Sequence, residues 1–394
     1  LEIAMDDVAM SLTFDDSYLL PSLEENTYII RIQQSLPVGN YTFTLYSGID
    51  GNDCAYITRK YEVIECDAND VDKHNAQWYF DTYVTLDFRN GIANLGEYSA
   101  MDASVSESGI CNEYGDILFY TDGDKIWNRS HEIIDAPNLN VVYRGTIALQ
   151  FDDNHYAVVS LCNDGHLYSR LLDRQGNIIG SSEYSEIQLY GGITAVKCST
   201  GGFWIASTRQ ALDGLNIISL KMTFDGTSLI YEYGNEINLN SVNFVDRKAI
   251  VIKASPNGKY IVCATANSGE NGGLKTLYFN ATHGAFDERV GSNVIFDAKA
   301  PSLAFSPSGN FLYLAYNESG LIKIMQYDMR NDFSCNCDNG FHGNIVFCRP
   351  DTGDYTRCEL ALQEGPDGRI YFSRYGDYFG YSRRIGVIQE PDNL

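Results

Sequence analysis

The chain reads as an all-β protein, a small antiparallel β-sandwich followed by a β-propeller. Three observations lead there: a recurring turn-and-strand unit, period-two alternation near the N-terminus, and scarce helical periodicity. ASPNGKYIVCATA (254–266), FSPSGNFLYLAY (305–316) and EGPDGRIYFSRY (364–375) spell the same turn, glycine and aromatic-rich strand. Fainter copies are EYGDILFYT from Glu113, CNDGHLYSRL from Cys162 and STGGFWIAST from Ser199. The aligned glycines are Gly115, Gly165, Gly202, Gly258, Gly309 and Gly368, with steps by subtraction of 50, 37, 56, 51 and 59. Proline presets the first turn angle, Asn, Asp or Ser bonds its own backbone, and glycine takes positive φ without a Cβ clash. β-Branched and aromatic residues then suit a pleated strand. Repeats of about 40–50 residues built from short strands mark propeller blades. Six visible turns, with further strands around 78–104, predict seven four-stranded blades, six being the alternative. The GKY, GNF and GRI strands are expected at one position within their blades. DILFYT, GKYIVCATA and GNFLYLAY are expected to line the central channel.

Residues 1–66 differ. YIIRIQQSLPVGNYTFTLYSGIDGNDCAYITRKYEVIEC alternates apolar and polar residues in three runs broken by PVGN and GIDGND, a sandwich signal. Residues 67–76 form an acidic linker, and 77–394 the propeller. In the linker, Asp67, Asn69, Asp70 and Asp72 crowd hard oxygen ligands suited to calcium, the alternative being a solvated hinge.

The 394 residues carry 28 Lys plus Arg against 52 Asp plus Glu, a net charge of −24. That balance argues against nucleic acid and anionic membrane as partners, since both need basic patches. No 18-residue apolar run is present, so no membrane-spanning helix is expected. The start at LEIAMDD and the end at PDNL suggest a piece of a longer polypeptide.

Ten cysteines fit an oxidising compartment. Cys54 with Cys66 is the natural first pair. Cys335, Cys337, Cys348 and Cys358 form a second cluster, expected as two further bridges. Those four with His342 also make a zinc set, although the spacing is not that of a zinc ribbon. Cys263, mid-strand, reads as a buried free thiol. Asn40, Asn128, Asn280 and Asn317 head N-x-S/T sequons.

Catalytic constellations are scarce: there is no HExxH, GxSxG, P-loop or helix-opening GxGxxG. The six histidines are scattered. Asp122 and Asp124 in YTDGDKIW are the best acid pair, but turn residues two apart tend to bond their own backbone. No catalytic or cofactor-binding residue is therefore named.

The ordered set DILFYTDGDKIWNRSHEIID, HYAVVSLCNDGHLYSRLLDRQGN, ITAVKCSTGGFWIAST, IVIKASPNGKYIVCATA, LAFSPSGNFLYLAY and ELALQEGPDGRIYFSRYGDYFGYSRRIGVIQEPDNL resembles a known family. It is similar to the propeller region of large secreted surface proteins of the Bacteroidota, which end in a type IX secretion sorting domain and are often labelled gliding motility-associated. WYFDTYVTLDFRNG resembles that family's W-x-F-G opening, with Asp81 in place of Gly. LPVGNYTFTLYSGIDGNDCAYITRKYEV resembles the Ig-like repeats of the same adhesins, with Asn52-Asp53 before Cys54 where Asn-Gly is usual. The resemblance implies an extracellular, cell-surface location and no catalytic residue. The function it implies is that of a non-enzymatic adhesin or surface-filament segment meeting a surface glycan or protein partner. The alternatives are a carbohydrate-active hydrolase or lyase, or a scaffold subunit of a secretion or motility complex.

Overall fold

In the computed structural model the chain divides into two compact units, Leu1–Ala68 and Asn69–Leu394. Six strands of the first unit are described. In the second, side chains are described over 73–394 except 81–82, 102–105, 143, 213, 240–249, 266–272, 288–301, 317–320, 322, 331–343, 348–360, 373–384 and 394. The first unit contains β1 (Glu2–Met5), β2 (Val8–Ser11), β3 (Leu20–Pro21), β4 (Tyr28–Ile29), β5 (Gly39–Ile49) and β6 (Asn52–Val63). They form one antiparallel sheet in the order β2-β1-β5-β6 and a separate β3-β4 ladder. The β5–β6 hairpin pairs Tyr41 with Tyr61, and its register shifts between Ser47 and Gly48.

The second unit is a seven-bladed β-propeller. Blade 1 holds β7 (Gln77–Phe80), β8 (Val84–Asp87) and β9 (Asn94–Leu95); blade 2 holds β10 (Ser108–Cys111), β11 (Ile117–Thr121), β12 (Ile126–Asn128) and β13 (Ile133–Asp135). Blade 3 holds β14 (Val141–Gln150), β15 (His155–Cys162), β16 (Leu167–Asp173) and β17 (Ile178–Tyr184). Blade 4 holds β18 (Tyr190–Lys197), β19 (Phe203–Ala211), β20 (Gly214–Phe224) and β21 (Leu229–Asn238). Blade 5 holds β22 (Ile250–Ala254), β23 (Tyr260–Thr265), β24 (Gly272–Asn280) and β25 (Ala285–Asp287), with β26 (Asn293–Phe296) also on β24. Blade 6 holds β27 (Lys299–Phe305), β28 (Phe311–Glu318), β29 (Leu321–Asp328) and β30 (Asn344–Pro350). Blade 7 holds β31 (Leu360–Glu364), β32 (Ile370–Arg374) and β33 (Ile385–Ile388). Each blade is an antiparallel meander in chain order.

Packing closes the ring. Each blade's first strand touches the first strand of the next, from β7 and β10 through to β27 and β31. Seven separate apolar clusters fill seven seams, the last joining Tyr371 of blade 7 to Leu86 and Phe88 of blade 1. Successive side chains of a strand point to opposite faces. Along β23, Ile261 and Cys263 therefore enter the seam with blade 4, while Tyr260, Val262 and Ala264 enter the seam with blade 6. Polar locks cross the same seams on the first strands. Ser108 Oγ accepts from the Ala148 amide at 2.9 Å, Thr194 Oγ1 from Ala254 at 3.1 Å, and Ser302 Oγ from Leu362 at 2.9 Å.

GKY, GNF and GRI do open the second strand of their blades, at β23, β28 and β32. In the blade-6 turn the Ser306 amide donates to Phe311 O, and the Phe311 amide returns a bond to Ser306 Oγ. Gly309 sits at φ 72°, where a Cβ would be strained. Three expectations need correction. Among the described residues blades 1 and 7 have three strands each, not four. Gly165 precedes β16, a third strand; in blade 3 the second strand follows FDDN, which contains no glycine. DILFYT, GKYIVCATA and GNFLYLAY are second strands, not channel-lining ones. They are apolar because each is buried on both faces between neighbouring blades.

Cys263 is a buried free thiol, as are Cys111, Cys162 and Cys198. The bridge candidates Cys54, Cys66, Cys335, Cys337, Cys348 and Cys358 and the calcium candidates Asp67, Asn69, Asp70 and Asp72 lie outside the described residues and side chains. Among the described residues no helix is long and apolar enough to cross a membrane.

Candidate functional site

Because each blade is a meander, its first-to-second and third-to-fourth turns emerge on one face of the disc. Three of these turns, in blades 2 and 3, share one hydrogen-bond pattern. They are headed by Asn112, Asn128 and Asp173. In each, the heading amide donates to the carbonyl four residues on, and the amide three residues on donates back to the heading carbonyl. The heading side-chain oxygen then accepts from the amides two and four residues on. Asn112 Oδ1 takes Tyr114 and Asp116, Asn128 Oδ1 takes Ser130 and Glu132, and Asp173 Oδ1 takes Gln175 and Asn177, all at 2.8–3.0 Å. Such Asx-headed turns are rigid without tertiary help.

The rigid turns place equivalent residues together: the second positions are Glu113, Arg129 and Arg174. With Tyr114 and Gln175 at the rim and Leu118 as apolar floor, they surround a groove of about 290 Å³. Tyr114 is 72% exposed. Arg174 Nη2 meets Glu113 Oε1 at 2.6 Å. The Glu113 backbone amide, together with Arg174, holds that carboxyl below its usual value. Arg129 is exposed and has no ion-pair or hydrogen-bond partner among the described residues. A small cleft with an aromatic ring, an open guanidinium and fixed polar groups has the features of a small-ligand site. It gathers two guanidiniums, Arg129 and Arg174, on a strongly acidic chain.

The central channel carries a second group of charges. The register of β14 shifts between Val141 and Thr146, and Arg144 in that bulge has φ 54°. Bulges of this kind re-aim side chains. Lys253 on β22 and Glu364 at the end of β31 complete the group. Burial pushes the Lys253 amine below its usual value; Glu364 opposes this and Arg144 adds to it.

Asp122 and Asp124 do not converge on an open pocket. Asp122 Oδ1 accepts from the amides of Asp124 at 3.0 Å and Lys125 at 2.7 Å, and Asp124 accepts from the Leu139 amide across the turn. Burial raises the Asp122 carboxyl, opposed by the Lys125 and Asp124 amides. Arg170, a buried residue of blade 3, donates to the carbonyls of Gly123 and Asp124 and locks the whole turn. This is a structural device. Sequence reasoning named none of the groove residues as a site, although NEYG and DRQG are visible as turn signals.

No protein family model matches the chain, and no curated protein matches it. Solved structures similar to it include a putative 6-phosphogluconolactonase from Bacteroides uniformis, 16% identical over 78% of this chain and 93% of that one, TM-score 0.44. The propeller domain of Cps50 (Swd1) from Myceliophteria thermophila is similar at 10% identity over 80% and 95%, TM-score 0.45. A Lactobacillus plantarum protein is similar at 13% over 78% and 90%, TM-score 0.46. The strand pairing and the seams between blades of this chain itself make the propeller.

Proposed function

We propose that the protein is a non-enzymatic binding segment of a secreted cell-surface adhesin or surface filament. The propeller acts as the interaction head and Leu1–Ala68 as an Ig-like spacer. The observation that carries this reading is the groove in which Tyr114, Arg129 and Arg174 are presented by three rigid turns on an interlocked scaffold. Binding residues on loops held by a rigid frame are a common arrangement for recognition. The ordered motifs from Trp78 onward support export by the type IX route in a Bacteroidota cell and display outside it, in the manner of gliding motility-associated proteins. The partner is a surface glycan or a surface protein.

The test is adhesion of the purified chain to polysaccharide-coated surfaces, with reducing ends assayed in parallel. Binding without release of new ends supports the reading; steady release overturns it. A second reading, a carbohydrate-active enzyme working in the channel, is favoured by Arg144, Lys253 and Glu364. An amine held below its usual value beside a carboxylate is a frequent companion of catalysis. Loss of reducing-end release in Glu364→Gln with adhesion intact would establish it.

A further inference from the structure

We infer that the groove between blades 2 and 3 recognises a carboxylated sugar residue of the uronic acid type, an inference that rests on the binding-module reading above. Arg129 and Arg174 are the cations lining the groove and Glu113 the lining carboxylate. Asp116, Glu132 and Asp173 on the same three turns add further carboxylates, so a phosphate dianion is repelled more than a monoanionic carboxylate, and a neutral sugar leaves the open cation unused. Arg129 offers a planar fork that matches a carboxylate bidentately. Arg174 is engaged by Glu113 through one nitrogen, at 2.6 Å, which leaves further N–H donors.

The other lining groups fit the rest of a sugar. The exposed Tyr114 ring presents an apolar face with a polar tip, suited to the C–H face of a pyranose. Leu118 floors the groove with apolar surface. Glu113, held ionised, accepts from sugar hydroxyls, and the Gln175 amide both donates and accepts. At about 290 Å³ the groove holds one such residue, with neighbouring sugars of a chain running out over the rim.

The experiment is titration calorimetry of the full chain at pH 7 and low salt. The probes are trimers of galacturonate, mannuronate and glucuronate, their methyl esters, and glucose 6-phosphate. At least one uronate trimer is expected to bind, with affinity falling about tenfold or more on esterification and falling again as salt rises. Arg129→Gln and Tyr114→Ala each weaken it about tenfold while the melting curve stays in place, since both side chains are exposed. The inference is overturned if no uronate trimer binds at millimolar concentration, if the esters bind as well as the acids, or if glucose 6-phosphate binds more tightly. If the uronates fail while Arg129→Gln still abolishes adhesion to polysaccharide, only the ligand class falls. If adhesion is unchanged in both variants, the groove is not the site and the binding-module reading falls with it.

Discussion

The ring of Tyr371, near the end of the chain, meets Phe88 of the first blade edge-on, with centroids 5.3 Å apart and planes at 80°. Trp78 approaches the same ring at 5.6 Å and 85°. These contacts fill the seam between blades 7 and 1, so the ring closes through side chains. Edge-to-face aromatic pairs add about 0.5–1.5 kcal/mol beyond their burial. Tyr371→Ala is expected to cost about 3–5 kcal/mol, the range for truncating a buried aromatic. Tyr371→Phe should cost far less, losing only the hydroxyl bond to Asp367 at 2.6 Å. Urea denaturation of the two variants decides. Equal losses would show that the hydroxyl, not the ring, holds the seam.

Arg170 is 3% exposed and spans blades 2 and 3, donating to Gly123 O at 2.7 Å and to Ser160 Oγ at 2.9 Å. Arg170→Met keeps the stem and removes the donors; Gly123 O keeps its bond from Ser160 Oγ at 2.7 Å, while Asp124 O loses the Arg170 donor. An orphaned buried acceptor costs about 1–3 kcal/mol, which is the loss expected. A denaturation midpoint unchanged from wild type would remove the lock from the account.

Gly284 has φ 67°, and a Cβ built there lies 2.4–2.6 Å from ring atoms of Trp204, whose indole N–H donates to Ala281 O at 2.8 Å. Gly226 has φ 98° but nothing within 4 Å. Gly226→Ala should therefore show the backbone cost alone, about 1–2 kcal/mol. Gly284→Ala adds about 1–3 kcal/mol of overpacking and shifts the tryptophan emission. Equal stability of the two variants would contradict the ring contact.

Asp225 heads the β20–β21 turn. The amides of Ser228 and Thr227 and the Thr227 hydroxyl bring its carboxyl down to about 2. In the unfolded chain an Asp titrates at about 3.9. The folded state thus favours the ionised form, and its stabilisation is complete above about pH 4 and lost as pH falls toward 2. In Asp225→Asn the decline of stability across that window should be shallower than in wild type. An NMR titration placing Asp225 near 4 would contradict this.

Turns were legible from sequence because they are made within a few residues. SPNGKY and SPSGNF carry their own proline, hydroxyl and glycine, and the structure gives both the same bonds between Ser255 and Tyr260 and between Ser306 and Phe311. The same locality misplaced Gly165, since a turn signal does not say which two strands of a blade it joins. It also misassigned β11, β23 and β28: a strand buried between two blades and one facing a channel are both apolar runs. Blade count followed from six visible turns together with the further strand signals around 78–104. What only the tertiary structure decided is which turns become neighbours. Asn112, Asn128 and Asp173 each set a local loop, but Glu113, Arg129 and Arg174 share a groove because the cluster around Phe119, Tyr156 and Leu172 packs blade 2 on blade 3. Arg144, Lys253 and Glu364 likewise lie far apart in the chain and meet because first strands ring a common axis. Local dihedral preferences act over a few residues, whereas these convergences depend on apolar burial between sheets, which no short stretch of sequence contains.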